Sequence, residues 1–224
     1  VGIANMSCSL IVAVGVTGSV FDQFNGVDGV HVDGSGRIFI ADRSNHRIVR
    51  IDNLSGTDWV SFGTFGSGVN QLSVPRAVRV DSSGRIYIVD TGNSRVVRID
   101  GMSGLGWTTF GTSGTGTGQF SAPLDLALDS QNRIYVADYN FHRIVRFNDM
   151  TGSFWVSFGT QGAGAGQFVN PTGVAVDQQG RIYVTGIGNS RLLRFNDMTG
   201  AGWVSFGSAG SGVNQFNGPG KIAI

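Results

Sequence analysis

Aspartate and arginine recur four residues apart along the chain, and these pairs are the first candidates for chemistry. They are Asp33 with Arg37, Asp81 with Arg85, Asp129 with Arg133, and Asp177 with Arg181. A ring of carboxylates suits metal binding or acid–base catalysis. Turn capping and ion pairing inside each repeat explain the same pattern, because every repeat needs both. We therefore expect a structural role for these pairs and no catalytic residue among them.

Histidine and cysteine are the next candidates. The histidines are His31, His46 and His142, and the last two share a repeat position that Ser94 and Ser190 fill in the other copies. The sequence contains neither an HxH nor an HExxH spacing, which metal sites often use. The single cysteine, Cys8, has no evident histidine and aspartate partners for a nucleophile. The sequence thus predicts no metal site, no cofactor and no catalytic residue.

Positions at which the repeats disagree are the candidates for ligand binding. One position reads Asp28, Arg76, Leu124, Thr172 and Gly220, and a second reads His31, Arg79, Ala127, Ala175 and Ala223. Asp125 replaces Gly29, Ala77 and Gly173 at a third. In a later turn the copies read Arg43, Thr91, Tyr139 and Ile187, and Phe141 replaces an asparagine.

Folding alone would keep these positions uniform, so charges and aromatics there indicate a binding role. The candidate ligand-binding residues are His31, Arg43, Arg76, Arg79, Asp125, Tyr139 and Phe141. Neutral drift at exposed loops explains the same variation and stays open as the alternative. Three of the candidates resist that explanation best, because small residues elsewhere are replaced by charged ones at His31, Arg79 and Asp125.

An internal repeat of 48 residues sets the positions of all these side chains. Its clearest markers are Trp59, Trp107, Trp155 and Trp203, each 48 residues after the last. A fixed step over four copies identifies a repeat protein. We divide the chain into repeats at about 27–74, 75–122, 123–170 and 171–218, within a single domain of residues 1–224.

Each repeat reads as four short strands, because β-branched and aromatic runs alternate with glycine-rich turns. The third repeat, for example, contains LALD, RIYVAD, RIVRF and WVSF. The chain has 36 glycines, no glutamate and one lysine, Lys221, and this composition disfavours helices. Both faces of the second strand are apolar, which predicts a sheet stacked between two others.

The ends of the chain supply parts of a further repeat. By the 48-residue step, residues 11–23 correspond to a fourth strand with its loop, and residues 1–4 to a degenerate third strand. Residues 219–224 correspond to a fifth copy of the first strand. The apolar run at residues 10–16 is too short to span a bilayer, so we expect no membrane insertion.

The strand phrases PTGVAVDQQGRIYVTGIGNSRLLRF and ADRSNHRIVRI, with the linker GxGxGQF, resemble NHL repeats over essentially the whole chain. The resemblance implies a β-propeller of four-stranded antiparallel blades around a central channel, with the first strand innermost. Such propellers usually have six blades. This sequence has material for about five, one of them incomplete or shared by both termini, or else it is a fragment of a six-bladed ring. The resemblance also places the later turn and the linker on one face, where ligands usually bind.

Three functions remain open on this sequence. We favour a non-enzymatic binding or scaffold module with a protein partner. RNA binding is an alternative, because some NHL domains bind single-stranded RNA, but the net charge of +1 supplies no strong attraction. A metal-dependent lyase or hydrolase follows by fold analogy alone, since the family includes a zinc-dependent lyase. Recent amplification or design of one repeat, with no selected ligand, is a further possibility. The lysine-poor composition favours an exported bacterial protein.

Overall fold

The short β-branched runs of each repeat form one antiparallel sheet of four strands, and four such sheets stand as blades around a central channel. The computed structural model describes residues 16–224. We number the blades one to four in chain order and call the first strand of each, which lines the channel, its inner strand. The prediction of an all-β propeller with four-stranded antiparallel blades is confirmed.

The strand bounds repeat with the sequence. Blade one comprises Val27–Val32, Ile38–Asp42, Arg47–Ile51 and Val60–Phe62. Blade two comprises Pro75–Val80, Ile86–Asp90, Arg95–Ile99 and Thr108–Phe110. Blade three comprises Pro123–Leu128, Ile134–Asp138, Arg143–Phe147 and Val156–Phe158. Blade four comprises Pro171–Val176, Ile182–Gly186, Arg191–Phe195 and Val204–Phe206.

Short parallel strand pairs form the linkers that precede each inner strand, and one further pair follows blade four. They pair Val16–Thr17 with Gln23–Phe24, Thr64–Phe65 with Gln71–Leu72, Thr112–Ser113 with Gln119–Phe120, Thr160–Gln161 with Gln167–Phe168, and Ser208–Ala209 with Gln215–Phe216. Two single-turn 3₁₀ helices, Arg43–Asn45 and Thr91–Asn93, follow the second strands of blades one and two. Within residues 16–224, no helix has the length and hydropathy that a membrane span requires.

The core lies between neighbouring blades, because the second strands are buried on both faces. Phe39 of blade one packs with Val78 and Ile88 of blade two, and all three are at most 2% exposed. Burial of an aliphatic or aromatic side chain stabilises a fold by about 1.5–3 kcal/mol. The linker residues Phe120 and Phe168 are fully buried in the corresponding cores of the later blades.

The recurring aspartate–arginine pairs close the turn after each inner strand. Asp33 accepts hydrogen bonds from the backbone amides of Ser35 and Arg37, at 2.9 and 3.0 Å. Its other carboxylate oxygen receives the Arg37 guanidinium at 2.7 Å. The three later pairs repeat this geometry. These carboxylates are therefore committed to the turns, which is the structural role that the sequence predicts.

The C-terminal segment, residues 219–224, differs from the strand that the sequence predicts there. It lines the channel beside blade four but forms no strand. A Cβ on Gly173 would lie 2.9 Å from the carbonyl oxygen of Gly220, as one on Gly29 would lie 2.6 Å from that of Arg76. The segment thus occupies a fifth inner position. An inner strand forms its ladder hydrogen bonds with the second strand of its own blade. Within residues 16–224 no second strand lies beside the C-terminal segment, so the segment has no ladder partner there.

The N-terminal part of the predicted fifth blade falls partly outside the described residues. The third strand predicted at residues 1–4 and the start of the fourth strand predicted at 11–23 belong to residues 1–15. Only the linker portion of that prediction is described, as the pair Val16–Thr17 and Gln23–Phe24.

Candidate functional site

One end of the ring, which we call the loop face, carries the turns between the second and third strands of the blades. These turns begin with Arg43, Thr91, Tyr139 and Ile187. Each sits beside the start of the next inner strand, as the bond from the Thr91 hydroxyl to the Pro123 carbonyl shows, at 2.6 Å. The Tyr139 carbonyl likewise accepts a hydrogen bond at 3.4 Å from the side chain of Asn170, which precedes the inner strand of blade four. The loop face therefore surrounds one mouth of the channel.

Buried aspartates hold these turns in place. Asp90 is fully buried, accepts the Ser73 amide at 2.6 Å and receives the Arg95 guanidinium at 2.7 Å. Burial raises the pKa of Asp90, and hydrogen bonds from Asn93 and Ser73 oppose the rise. Asp42 and Asp138 repeat the arrangement, whereas Gly186 stands there in blade four. Since these carboxylates have their full set of partners, they serve the fold.

The ladder register breaks at the start of each inner strand. In blade two the pairing passes from Pro75 to Ala77, so that Arg76 has no cross-strand partner. Such bulges re-aim side chains without disturbing the rest of the strand. In blade one the break covers Asp28 and Gly29.

Arg43, Asp28 and Arg76 form a group that we call the outer cluster. Nη1 of Arg76 lies 2.8 Å from Oδ2 of Asp28, and Nη1 of Arg43 lies 3.8 Å from the same oxygen. The two guanidinium groups thus share one carboxylate. Nε of Arg76 is buried and has no hydrogen-bond partner in residues 16–224. The outer cluster joins blades one and two and carries one excess positive charge.

Arg79, Asp125 and Lys221 form a second group, the inner cluster. Asp125 is fully buried, accepts the Val174 amide at 3.1 Å and lies 3.3 Å from Nη2 of Arg79. Nζ of Lys221 lies 3.5 Å from Asp125 and donates to the Leu124 carbonyl. Burial lowers the pKa of Lys221, and the Asp125 carboxylate opposes this change. The inner cluster also carries one excess positive charge.

The two clusters border the same channel cavity, of about 680 Å³. Asp28, His31, Arg79 and Lys221 line it, among valines and other small apolar residues of the inner strands. Burial lowers the pKa of His31, and the positive charge of Arg79 lowers it further. His31 is therefore a neutral polar group at neutral pH, next to a positively charged wall.

Two of the predicted site residues make their contacts elsewhere. Tyr139 begins the turn of blade three, and its carbonyl accepts a hydrogen bond from the Asn170 side chain at 3.4 Å. Phe141 lies in the same turn, with the Arg143 guanidinium 5.2 Å from its ring centroid. Both side chains are half-buried. They belong to the loop face, but the ion pairs of the channel do not include them.

Sequence reasoning missed two members of the clusters as site residues, Asp28 and Lys221. Each had a detectable signal. Asp28 shares its repeat position with Arg76, and Lys221 shares one with Asp125. Opposite charges at one repeat position of a ring mark side chains that can pair across blades, and Lys221 is also the only lysine of the chain.

Histidines 46 and 142 have a structural explanation. Each adopts the left-handed backbone conformation, at φ of 55° and 51°. Nδ1 of His46 accepts the Val74 amide and Nδ1 of His142 accepts the Asn170 amide, both at 3.0 Å. In the part of the chain that the structure describes, no three side chains of His, Cys, Asp or Glu lie together as a metal site would require.

Comparison with known families follows the same repeat. The sequence model of the NHL repeat matches residues 72–99 and 120–147, and that of a β-propeller repeat, SBBP, matches residues 158–193. The chain is a β-propeller, and the NHL model detects repeats in its second and third blades. No curated protein sequence matches this chain.

Solved structures share the propeller fold at low sequence identity. A catalytically inactive virginiamycin B lyase from Staphylococcus aureus, solved with quinupristin, is 18% identical with a TM-score of 0.61, over 88% of this chain and 59% of that one. A streptogramin B lyase is 15% identical with a TM-score of 0.53, over 86% and 70%. A Bacteroides thetaiotaomicron protein of unknown function is 19% identical with a TM-score of 0.63, over 89% and 54%. The chain spans 59% of the first of these chains.

Proposed function

We propose that this NHL propeller is a non-enzymatic binding module, and that its loop face and channel mouth receive a protein partner. One observation carries the proposal: the outer and inner clusters, built from side chains that break the repeat, meet at one mouth of the channel. Arg43, Arg76, Arg79 and Lys221 face only two carboxylates there. The chain as a whole has a net charge of +1, so this mouth concentrates charge that the rest of the molecule lacks.

The arrangement suits recognition better than chemistry. Asp28 and Asp125 already accept from two cations each, so neither is free to act as a base. Fixed ion pairs at an interface rim steer partners and set orientation. Tyr139 and Phe141 add aromatic side chains to the loop face in the turn of blade three, and such residues are frequent at interface centres. The fold supplies rigid blades on which these groups are held.

A peptide display selection tests the proposal. Peptides would be selected on the wild-type propeller and then tested on the variant Arg43→Ala/Arg76→Ala/Tyr139→Ala/Phe141→Ala. A matched control, Gln131→Ala/Gln178→Ala, changes exposed residues in the turns at the other end of the blades. We expect the selected peptides to bind the control and to lose at least about tenfold in affinity on the loop-face variant, or about 1.4 kcal/mol. Equal binding to both variants would contradict the proposal.

The lyase alternative draws support from the fold neighbours only. Virginiamycin B lyase was solved with quinupristin, which gives a direct probe. Incubation of this propeller with quinupristin, followed by mass spectrometry, should leave the compound intact. Conversion to a product of altered structure, abolished by changes at the channel mouth, would replace the binding proposal with an enzymatic one. For the RNA alternative, retention of a random RNA pool on a filter at low salt is the corresponding test.

A further inference from the structure

The structure also suggests which chemistry the channel recognises. We propose that the channel mouth binds a carboxylate carried on an apolar body, with the carboxylate between Arg79 and Lys221. This inference rests on the proposed binding function and adds the class of ligand to it. The charge balance of the inner cluster, the lining of the cavity and the variation between repeats each support it.

The charge balance favours a monoanion. Arg79 and Lys221 share the single carboxylate of Asp125, at 3.3 and 3.5 Å, so one positive charge is left without a counterpart. The side chains of the two cations are 17% and 27% exposed, whereas Asp125 is fully buried behind them. A carboxylate that enters the channel therefore meets the cations before it meets Asp125. Partial burial strengthens such an ion pair relative to one in open solvent.

The cavity lining favours an apolar body behind the charged head. Apart from its few charged groups, the wall is formed by the inner strands and the C-terminal segment. Its larger aliphatic side chains include Val80, Leu128, Val174, Val176, Ile222 and Ile224. The volume of about 680 Å³ lies within the range of small-molecule sites, roughly 300–1,000 Å³. Val30 and Val32 are 52% and 56% exposed, so apolar surface remains to be covered.

The repeat indicates that the fold itself does not require these charges. At the position of Arg79, blades three and four carry Ala127 and Ala175. At the position of Asp125, blade four carries Gly173, where a Cβ would lie 2.9 Å from the Gly220 carbonyl oxygen and 3.0 Å from the Ile222 amide nitrogen of the C-terminal segment. Burial of the Asp125 carboxylate costs desolvation energy. The buried carboxylate in turn holds the Arg79 and Lys221 cations at the channel. Such preorganised cations lower the ordering cost of binding an anion.

Two sources present this chemistry, namely a free medium-chain carboxylic acid and the C-terminus of a peptide that ends in an apolar residue. Both place one carboxylate at the end of an apolar chain. The experiment therefore includes both, each with an uncharged partner of the same shape.

The test is calorimetric titration of the purified chain with octanoate and with 1-octanol. A second pair consists of a hexapeptide ending in leucine as the free acid and the same peptide as its C-terminal amide. We expect binding of at least one acid, with its uncharged partner at least about tenfold weaker. Tighter binding of the peptide acid identifies a C-terminus as the source, and binding of octanoate alone identifies a free acid. If neither acid binds, or if each binds no better than its partner, the inference is wrong.

Variants then assign the effect to the inner cluster. Arg79→Met and Lys221→Met should each weaken acid binding at least about tenfold, while Lys221→Arg should keep most of it. Arg98→Met, on the third strand of blade two, is the matched control. Circular dichroism and thermal unfolding confirm that each variant is folded, and Arg79→Gln, which also removes the charge, replaces Arg79→Met if the latter is not. Unchanged acid binding in the Arg79 and Lys221 variants would overturn the assignment. If neither acid binds while display-selected peptides still bind the loop face, this inference alone is wrong and the proposed function stands.

Discussion

Nζ of Lys221 lies 3.5 Å from Oδ1 of Asp125, and this ion pair joins the C-terminal segment to blade three across the channel mouth. The two residues occupy the same repeat position, two repeats apart. Gly173, at that position in the blade between them, has no side chain to obstruct the contact. The pair therefore ties the C-terminal segment to blade three and places the Lys221 charge at the channel mouth.

Removal of the Asp125 carboxylate should destabilise the propeller strongly. Asp125→Ala leaves Arg79 and Lys221 without their shared counterion and the Val174 amide without its acceptor. Breaking a buried pair from one side costs about 3–5 kcal/mol. Asp100→Ala is the control, because Asp100 is 49% exposed and pairs with Arg98 at 3.6 Å, for which we expect at most about 1 kcal/mol. Denaturant unfolding measures both, and equal losses would contradict the buried role of Asp125.

The C-terminal segment should depend on two threonines of blade four. The Thr172 hydroxyl donates to the Pro219 carbonyl at 2.8 Å, and the Thr185 hydroxyl donates to that of Gly220 at 2.5 Å. Thr172→Val keeps the shape and removes one of these bonds, worth about 1 kcal/mol. We expect faster amide hydrogen exchange in residues 220–224, with little change in blades one to three. Thr160→Val, at an exposed linker position, is the control; the same exchange rates in both variants would show that Thr172 does not hold the segment.

Much of the fold was predictable because it depends on local patterns that recur. The step of 48 residues, the β-branched runs and the turn aspartates each specify a strand or a turn within a few residues. The chemistry of the mouth depends on contacts between distant repeats, such as Arg76 with Asp28. Variation between copies identified most members of the two clusters but could not pair them. Lys221 was missed because residues 219–224 were interpreted only as a copy of a strand.

For the aromatic residue Phe141, the sequence indicated a ligand contact, whereas the structure shows a contact within the fold. Phe141 stands out in the sequence as a replacement for asparagine. In the structure its ring lies against the Arg143 guanidinium, which is itself fixed by Asp138 at 2.9 Å. Packing of this kind explains the residue without a ligand. Its binding role therefore remains a prediction for the display experiment, whereas its contact with Arg143 is a feature of the fold.

Alkaline pH should destabilise the propeller through Tyr135. Burial and the neighbouring Asp129 carboxylate raise the pKa of Tyr135 to about 12, and its hydroxyl donates to Asp129 at 3.1 Å. The raised pKa means that the folded state favours the protonated phenol. The resulting contribution to the free energy of unfolding is fully present below the unfolded pKa of about 10 and is lost as the pH rises towards 12. A folded pKa that lies one pH unit above the unfolded pKa corresponds to about 1.4 kcal/mol of stability.

Tyr135→Phe tests this linkage. The variant should lose about 1 kcal/mol at neutral pH, from the hydrogen bond to Asp129, and should show a smaller further loss between pH 10 and 12 than the wild type. Unfolding midpoints across that range measure both effects. A variant whose alkaline loss equals that of the wild type would assign the sensitivity to other groups.

The histidine at the turn of blade three should act through its ring acceptor. His142→Ala leaves the Asn170 amide without the bond to Nδ1, at an expected cost of about 1 kcal/mol or more. His142→Asn should recover part of this loss, because asparagine tolerates the left-handed conformation and offers an acceptor. Thermal unfolding measures the loss of stability in each variant. Repeating the measurement with a chelator tests whether a bound metal contributes. A chelator-dependent shift in the wild type that His142→Ala removes would indicate metal binding instead.

Binding of ligands at the loop face and channel mouth can be tested most directly by amide chemical-shift mapping with NMR. A peptide selected on the wild-type propeller would be titrated into the labelled chain. We expect the largest chemical-shift changes on residues around Asp28, Arg76, Asp125 and Lys221 and on the turns beside them. Changes confined to the opposite turns, around Asp81, Asp129 and Asp177, or to the outer strands, would contradict binding at this mouth.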